Sequence, residues 1–566
     1  MKEIISQLVA KNLPGYEETD VLQLIEIPMT SDHGDFALPC FTIAKQFKKS
    51  PIVIAKNLQE AMEQEVGVTS FLNKMEVVNG YLNFYVNKEF YINSVLSGII
   101  ECKNGISEEG KGKTICMDYS SPNIAKNFHV GHLRTTVIGN SLYHIYKKLG
   151  YHVVRINYLG DWGTQFGKQI VAYHMWSSKE QVEKDGIQEL LRIYVKFNEE
   201  AEKTPELIEQ ARAWFVRMEQ GDEEALALWQ WFKEISMLEY ERIYDMLQVE
   251  FDSYVGESFY KDKVSDLVDE LKQKNLLEDS QGAYILSLEE YQMPPCLIMK
   301  KDGGSIYHSR DIAAAINRKK EYQFEQCLYV TGSEQSLHFA QVFQAIEKMG
   351  YDWHQQLVHV PYGLVSLDGE KLSSRQGNIV YAEDILKEAV IRASNLIEEK
   401  NPNLKDKDSV AKKVGIGAVI FHDLCHQRIK NVDFSWAEVL SFEGSTGPYV
   451  QYTYARAKSI LRKAQEVALI QEIDVKCLMD EASFQLIKEL SSFEVVVKDA
   501  AKRYEPSLLA RYVLSLATAF NQFYRDCNIL NAEIDVKQAR LCLVNLVQNI
   551  IQQAMGLLGI ECPEEM

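Results

Sequence analysis

Two short segments hold residues whose types and spacing could do chemistry. The first is Pro122-Asn123-Ile124-Ala125-Lys126-Asn127-Phe128-His129-Val130-Gly131-His132. Its two histidines are three apart, so on a helix both face the same ligand. A buried-type strand pattern, Thr114 to Tyr119, precedes it, and a long helical pattern, Phe128 to Leu149, follows. A strand-to-helix junction gathers free backbone N–H groups and the positive helix end, which suits phosphate. An imidazole there can donate to phosphate oxygens whose charge grows in a transition state. Gly131 lets a nucleotide base approach the backbone closely. The plainer alternative is two histidines on an ordinary helix. The junction weighs against it, and so do the surroundings: Tyr119 to Gly160 contains no acid, while Lys126, Arg134, Lys147, Lys148 and Arg155 are basic.

The second segment runs from Lys371 through Leu372, Ser373, Ser374, Arg375, Gln376 and Gly377 to Asn378. Such a loop can close over a triphosphate, its cations neutralising a pyrophosphate leaving group. In isolation it reads as a solvated basic turn.

The elements that must position these segments follow a clear order. Residues 1 to about 108 read as a small α+β unit. Ile43 to Leu58 looks like a helix interrupted near Pro51. Met75 to Asn87 alternates like one strand, with Tyr81, Asn83 and Tyr85 on one face. Thr114–Tyr119, the long helix closed by Gly150, and His152–Ile156 form a βαβ unit, so a parallel nucleotide-binding sheet is expected. Residues from about 175 to 280 are helical and charged and look inserted into the sheet domain. Sheet-like segments resume at Cys327–Val330 and Leu357–Val360, and from about Glu383 the pattern is almost wholly helical.

Composition sets bounds. At 566 residues, with 46% hydrophobic and 25% charged, the chain is long enough for several globular cores. No apolar run of about 18 residues implies a membrane span. The start, Met1-Lys2-Glu3-Ile4-Ile5, lacks a signal-peptide core, so a cytoplasmic protein is expected. The 10 cysteines form no CxxC pair, which argues against a zinc site or a disulfide framework. A net charge of -19 argues mildly against nucleic-acid binding, yet the acid-free stretch from Gly444 to Gln465, with Arg456, Lys458, Arg462 and Lys463, is a basic island on an acidic body.

Taken together, the two segments resemble the HIGH and KMSKS signatures of class I aminoacyl-tRNA synthetases. Further stretches are similar to the arginyl-tRNA synthetase family: Ser120 to His132, Asn157 to Gly167, Ser309 to Ala314, Ser445 to Tyr452, and Ser31 to Asp35 near the N-terminus. The resemblance runs nearly end to end. It implies a multidomain α/β fold with a Rossmann-type parallel-sheet catalytic domain over 109–390 carrying a helical insertion. An N-terminal added domain over 1–108, a helical connector over 391–440 and an all-α anticodon-binding domain over 441–566 complete it. It implies ATP-dependent activation of L-arginine, with Mg²⁺ accompanying ATP and no structural metal, then transfer to the terminal adenosine of tRNA(Arg). The family's usual state is a monomer, and neither DNA nor a membrane is implied as a partner. A non-catalytic tRNA-binding paralogue and a small-molecule nucleotidyltransferase are the rivals. The first should have lost His129, His132 or Lys371, and the second would not need the helical C-terminal region.

By position the resemblance makes Lys126, His129, His132 and Lys371 catalytic. It assigns Pro122, Asn123, Phe128, Gly131, Ser373, Ser374 and Arg375 to ATP, and Asp118, Ser121, Asn123, His132, Glu257, Tyr307, Asp311 and Gln335 to arginine. The physics agrees, since carboxylates can grip a planar, always-charged guanidinium bidentately. One departure matters: the usual second lysine of KMSKS falls at Ser374. Lys126, just upstream of HxGH, is expected to replace that charge. For tRNA, Tyr81 and Asn83 in the N-terminal domain and Tyr449, Tyr452, Arg456 and Lys463 near the C-terminal domain are the candidates, with stacking on splayed bases as the physical reason. Packing within the bundle is the alternative for these tyrosines.

Overall fold

The computed structural model describes all residues except 29–30, 66, 102–107, 301–303, 305, 368–369, 372–380, 442–443, 465–466 and 468–472. Two compact units emerge. One comprises Met1–Asn104, Ile460–Ser492 and Thr518–Val547, the other Gly105–Ser459, Phe493–Ala517 and Gln548–Met566. The helical C-terminal region, expected as one domain from 441, contributes to both.

In the first unit, Phe36–Pro39, Tyr81–Val86 and Leu72–Val78 pair antiparallel in that order. The expected single strand over Met75–Asn87 is instead a hairpin. Asn79 (φ 50°) and Gly80 (φ 89°) both sit in the left-handed region, the two-residue turn that matches strand twist. Pro51 separates Phe41–Phe47 from Pro51–Glu63 and stands at the first turn of the second helix, where its missing N–H costs nothing. Tyr91 stacks edge-on against Phe484, and Lys488 pairs with Asp35.

The second unit is built on a four-stranded parallel sheet, ordered Leu357–Tyr362, Gln326–Gly332, Thr114–Asp118, His152–Ile156. Strands covered on both faces must be apolar throughout, and Ile115, Cys116, Met117, Leu328 and Val330 are buried. The chain moves from the third strand in this order to the fourth, then returns to the other side, so the order of strands reverses between Asp118 and Tyr329. That reversal opens a crevice at the strand ends. The helix Val130–Lys148 follows the third strand, and after Thr164–Trp176 the helices from Lys179–Asp185 to Lys263–Gln273 fall in the stretch expected to be a helical insertion. A small antiparallel sheet, Glu278–Ser280, Ala283–Leu286 and Cys296–Met299, had no legible alternation. No helix among the described residues is long and apolar enough to cross a membrane.

Arg134 ties the first signature helix to the base of the second signature. Its guanidinium is fully buried and donates to the carbonyls of Arg428 and Lys430, both at 2.9 Å, with Asp423 at 3.8 Å. The adjoining strand Val432–Phe434 lies parallel to Val365–Leu367, which pairs antiparallel with Glu370–Lys371. Arg134→Met would strand two carbonyls and a buried carboxylate. It should lower the unit's stability by about 3 kcal/mol, read from urea unfolding. An unchanged urea midpoint would show that those groups find water instead.

Candidate functional site

The crevice at the sheet reversal holds a cavity of about 680 Å³. Asp118, Ser121, Asn123, His129, Gly131, His132, Glu257, Tyr307, Asp311 and Gln335 all line it. Ten expected residues from four separate stretches of chain thus meet at one place.

The first signature is an unusual piece of backbone. Ser120 (φ 70°), Ser121 (φ 45°) and Ala125 (φ 60°) are all left-handed without being glycine. Such conformations are strained and persist where the surroundings over-determine them. The loop then enters its helix through His129. Gly131 N–H donates to His129 Nδ1 at 3.0 Å, and His129 N–H donates to His132 Nδ1 at 3.3 Å. The rings stack with centroids 3.8 Å apart. Both Nδ1 atoms are therefore acceptors, which leaves each neutral ring its proton on Nε2. Burial pushes His129 down to about 4, Lys126 adding to the effect, and lowers His132 as well, with His129 and Lys126 contributing. The pair presents two neutral N–H donors at the positive end of a helix. Gly131 is needed for this geometry, because a Cβ there would stand 2.8 Å from His129 Cε1.

Three acids face the cavity, and each has a basic side chain beside it. Asp118 lies 2.8 Å from Arg318, Glu257 lies 3.2 Å from Arg310, and Asp311 lies 2.6 Å from His338 Nε2. Burial raises Asp118, with Arg318 opposing. Burial pushes Glu257 up to about 8, Arg310 opposing and Asp311 and Asp161 reinforcing. Ser121 Oγ donates to Asp118 at 2.8 Å. Asn123 pairs with Gly160 across a backbone bridge.

The sequence reading missed Arg318, His338, Tyr158, Tyr329 and Glu334, which also line the cavity. A signal for Arg318 was present. Tyr307, Asp311, Ala314 and Arg318 follow helical spacing on Tyr307–Tyr322, so one face carries all four. His338 and Glu334 flank the expected Gln335 and carried no such periodicity.

Other expected residues lie elsewhere. Phe128 is 1% exposed and packs on His132, Tyr240 and Tyr244, so it supports the site from beneath instead of facing a ligand. Pro122 is buried and Lys126 half-buried, both outside the cavity lining. Lys126 has no carboxylate partner among the described residues, and burial lowers its pKa, with Lys168 adding. Ser373, Ser374, Arg375 and the Lys371 side chain lie outside the described residues. Their flank returns to the site: Ala382 N–H donates to the Phe128 carbonyl at 3.0 Å.

Of the tRNA candidates, Asn83 is only 2% exposed and lines a small pocket with Tyr81, Glu26 and His33, whereas Tyr81 is half-buried and stacks edge-on with Phe41. Tyr452 is exposed with the Arg456 guanidinium 4.8 Å over its ring, Lys463 is exposed, and Tyr449 is half-buried.

Stacked neutral rings predict a measurable tautomer. At about pH 5.5, where a free histidine is mostly charged, ¹⁵N NMR should find His129 neutral with its proton on Nε2. A cationic His129 at that pH would overturn the acceptor assignment.

Comparison with known proteins gives a consistent picture. The family model for tRNA synthetases class I (R), catalytic domain, matches residues 94–436. Models for the DALR anticodon binding domain and the arginyl tRNA synthetase N terminal domain match 450–566 and 1–86. The arginine–tRNA ligase of Alkaliphilus metalliredigens is 50% identical, covering 100% of this chain and 99% of its own. That of Clostridioides difficile is 47% identical with the same coverage. Among solved structures, Thermus thermophilus arginyl-tRNA synthetase superposes with a TM-score of 0.83 at 25% identity, covering 100% of both chains.

Proposed function

The chain belongs to the arginyl-tRNA synthetase family, and from that premise we propose that its cavity joins arginine to ATP with the residues assembled there. The protein is an arginine–tRNA ligase, and it is a class I enzyme. What supports the assignment of roles is one juxtaposition: neutral imidazole donors at a helix N-terminus face a group of buried acids across a single cavity.

In the first step an arginine carboxylate oxygen bonds to the α-phosphorus of ATP, and the bond to the β-phosphate bridging oxygen breaks. Pyrophosphate leaves with that electron pair. His129 and His132 donate from Nε2 to the α-phosphate oxygens as charge builds. Being neutral already, they need not lose or gain a proton to do so. Lys126 supplies cationic stabilisation for the departing pyrophosphate, the part Ser374 cannot play. Lys371 and Arg375 close over the nucleotide with Ser373 and Ser374. Asn123, with Pro122 behind it and Gly131 beside it, borders the nucleotide.

Asp311, Glu257 and the Tyr307 hydroxyl hold the guanidinium. Asp118, Ser121, Asn123 and Gln335 hold the α-amino and carboxylate end. Lysine would place a single ammonium where a planar fork is expected, leaving buried acids partly unpaired. In the second step the 2′-hydroxyl of the terminal tRNA adenosine attacks the activated carbonyl, and AMP leaves. Tyr452 with Arg456, Tyr449 and Lys463 offer stacking and charge to tRNA(Arg), as does Tyr81. Asn83, 2% exposed, offers little surface to it. Mg²⁺ accompanies ATP, but no group of three or more His, Cys, Asp or Glu among the described residues is set to hold an ion.

Charging of total tRNA with radiolabelled arginine, with lysine and ATP-free controls, tests the reading directly. Labelling with arginine alone is expected. Lys126→Ala should cut tRNA-supported ATP–pyrophosphate exchange by about 100-fold while the arginine KM stays near its starting value. Full exchange activity would remove Lys126 from the chemistry. Glu257 adds a pH signature. Its carboxyl is protonated below about 8, and a guanidinium favours the charged form, so arginine binding must expel a proton there. Arginine affinity should therefore rise with pH until about 8 and then level. A flat KM profile across that range would count against Glu257 as a guanidinium ligand.

A further inference from the structure

The long helix Glu223–Leu247 lies in the insertion, away from both signatures in sequence. Five of its side chains nevertheless form one polar stripe, three of them against the loop of the first signature and two against Asp161. Trp229, Lys233, Ser236, Tyr240 and Tyr244 are spaced by three or four residues, so they share a face. Trp229 Nε1 donates to the Asp161 carbonyl at 2.7 Å, and Lys233 pairs with the Asp161 carboxylate at 2.6 Å. Asp161 in turn accepts from Ser258 N–H and Oγ, both at 2.8 Å, beside Glu257. Ser236 Oγ accepts from Ala125 N–H at 2.9 Å. The Tyr240 hydroxyl lies 2.7 Å from the Asn123 carbonyl and 2.6 Å from that of Lys126. The Tyr244 hydroxyl meets Ser120 Oγ at 2.7 Å and accepts from Asn157 Nδ2 at 2.9 Å. Asn157 Oδ1 accepts from Ser121 N–H at 3.1 Å.

Every left-handed residue of the loop is thus pinned by a bond traceable to this helix: Ala125 by Ser236, Ser120 by Tyr244, and Ser121 by Tyr244 through Asn157. Ser236 and Tyr240 are fully buried and Tyr244 is 2% exposed, so none of these groups can exchange its partner for bulk water at low cost. None of the three itself lines the cavity, although Tyr240 and Tyr244 bond to Asn123 and Ser120, which do. We infer that Ser236, Tyr240 and Tyr244 are positioning residues: they hold the signature loop in its strained shape so that Asn123, His129 and His132 meet the reacting groups. This rests on the cavity being the reaction site.

Tyr240→Phe removes one hydroxyl without changing ring packing. With the loop less firmly held in its strained shape, kcat for tRNA-supported ATP–pyrophosphate exchange should fall by about tenfold. The KM for arginine should stay within about twofold and Tm within about 3 °C. Glycine adopts a positive φ without strain, so Ala125→Gly in the Tyr240→Phe background should recover part of the lost kcat. Ser236→Ala read the same way is the second variant. Unchanged kcat per folded molecule in both, a loss confined to Tm, or no recovery on adding Ala125→Gly would overturn the inference. His132→Ala serves as the reference. If it stays fully active, the placement of the reaction site fails. If it is inactive while Tyr240→Phe and Ser236→Ala are not impaired, only the positioning role falls.

Discussion

A carboxylate at the end of a strand buried on both faces stays charged only if a cation is brought to it, and Asp118 imposes that demand on the whole cavity. Arg318, 1% exposed, answers it from the helix Tyr307–Tyr322. Removing either partner alone would leave an uncompensated charge in the interior, a loss of several kcal/mol. The pair therefore fixes where that helix lies over the sheet. Once Arg318 is fixed, Ala314, Asp311 and Tyr307 follow at helical spacing, and the acid-rich wall of the cavity is set. Charge matching here acts as a ruler as well as a source of stability.

The other acids also have basic partners. Arg310 answers Glu257 and His338 answers Asp311. A cationic ligand entering this cavity meets carboxylates already held in place, so it competes with residents for their lone pairs instead of ordering loose side chains. Pre-organised acceptors lose little freedom on binding, which favours discrimination by shape and donor geometry over discrimination by charge alone. On the opposite wall the imidazoles follow the complementary logic. Burial keeps them neutral, and reciprocal capping fixes which nitrogen donates.

Much of this was legible in the sequence because the chemistry sits at element boundaries. The junction of Thr114–Asp118 with the helix beginning at Val130 followed from an apolar run, a polar loop and a helical period, and His129 and His132 fell at its hinge. Local pattern failed where the deciding partner lay far along the chain. Nothing near Asp118 announces Arg318, and nothing near Ser120 announces Tyr244, more than a hundred residues away. Phe128 looked available to a nucleotide because the rings of Tyr240 and Tyr244 that cover it come from the insertion. Asn83 looked exposed because alternation assigns a whole face at once, whereas Asn83 sits between Ala37 and Glu76 of the flanking strands and is 2% exposed. The hairpin over Leu72–Val86 was missed by overlooking the turn chemistry of Asn79-Gly80 in favour of the alternation around it.

The long helix Glu223–Leu247 carries a consequence for how this chain can change over time. Its contacts with the first signature depend on angular phase as well as on residue type. One residue inserted between Trp229 and Tyr244 would turn everything beyond it by ~100° and lift the remaining donors off the loop. Substitutions along the outer face leave that phase untouched. The insertion region can therefore drift freely in composition, lengthen at its loops and reshape its surface, while this one segment keeps a fixed count of residues, like the spacing between teeth on a gear.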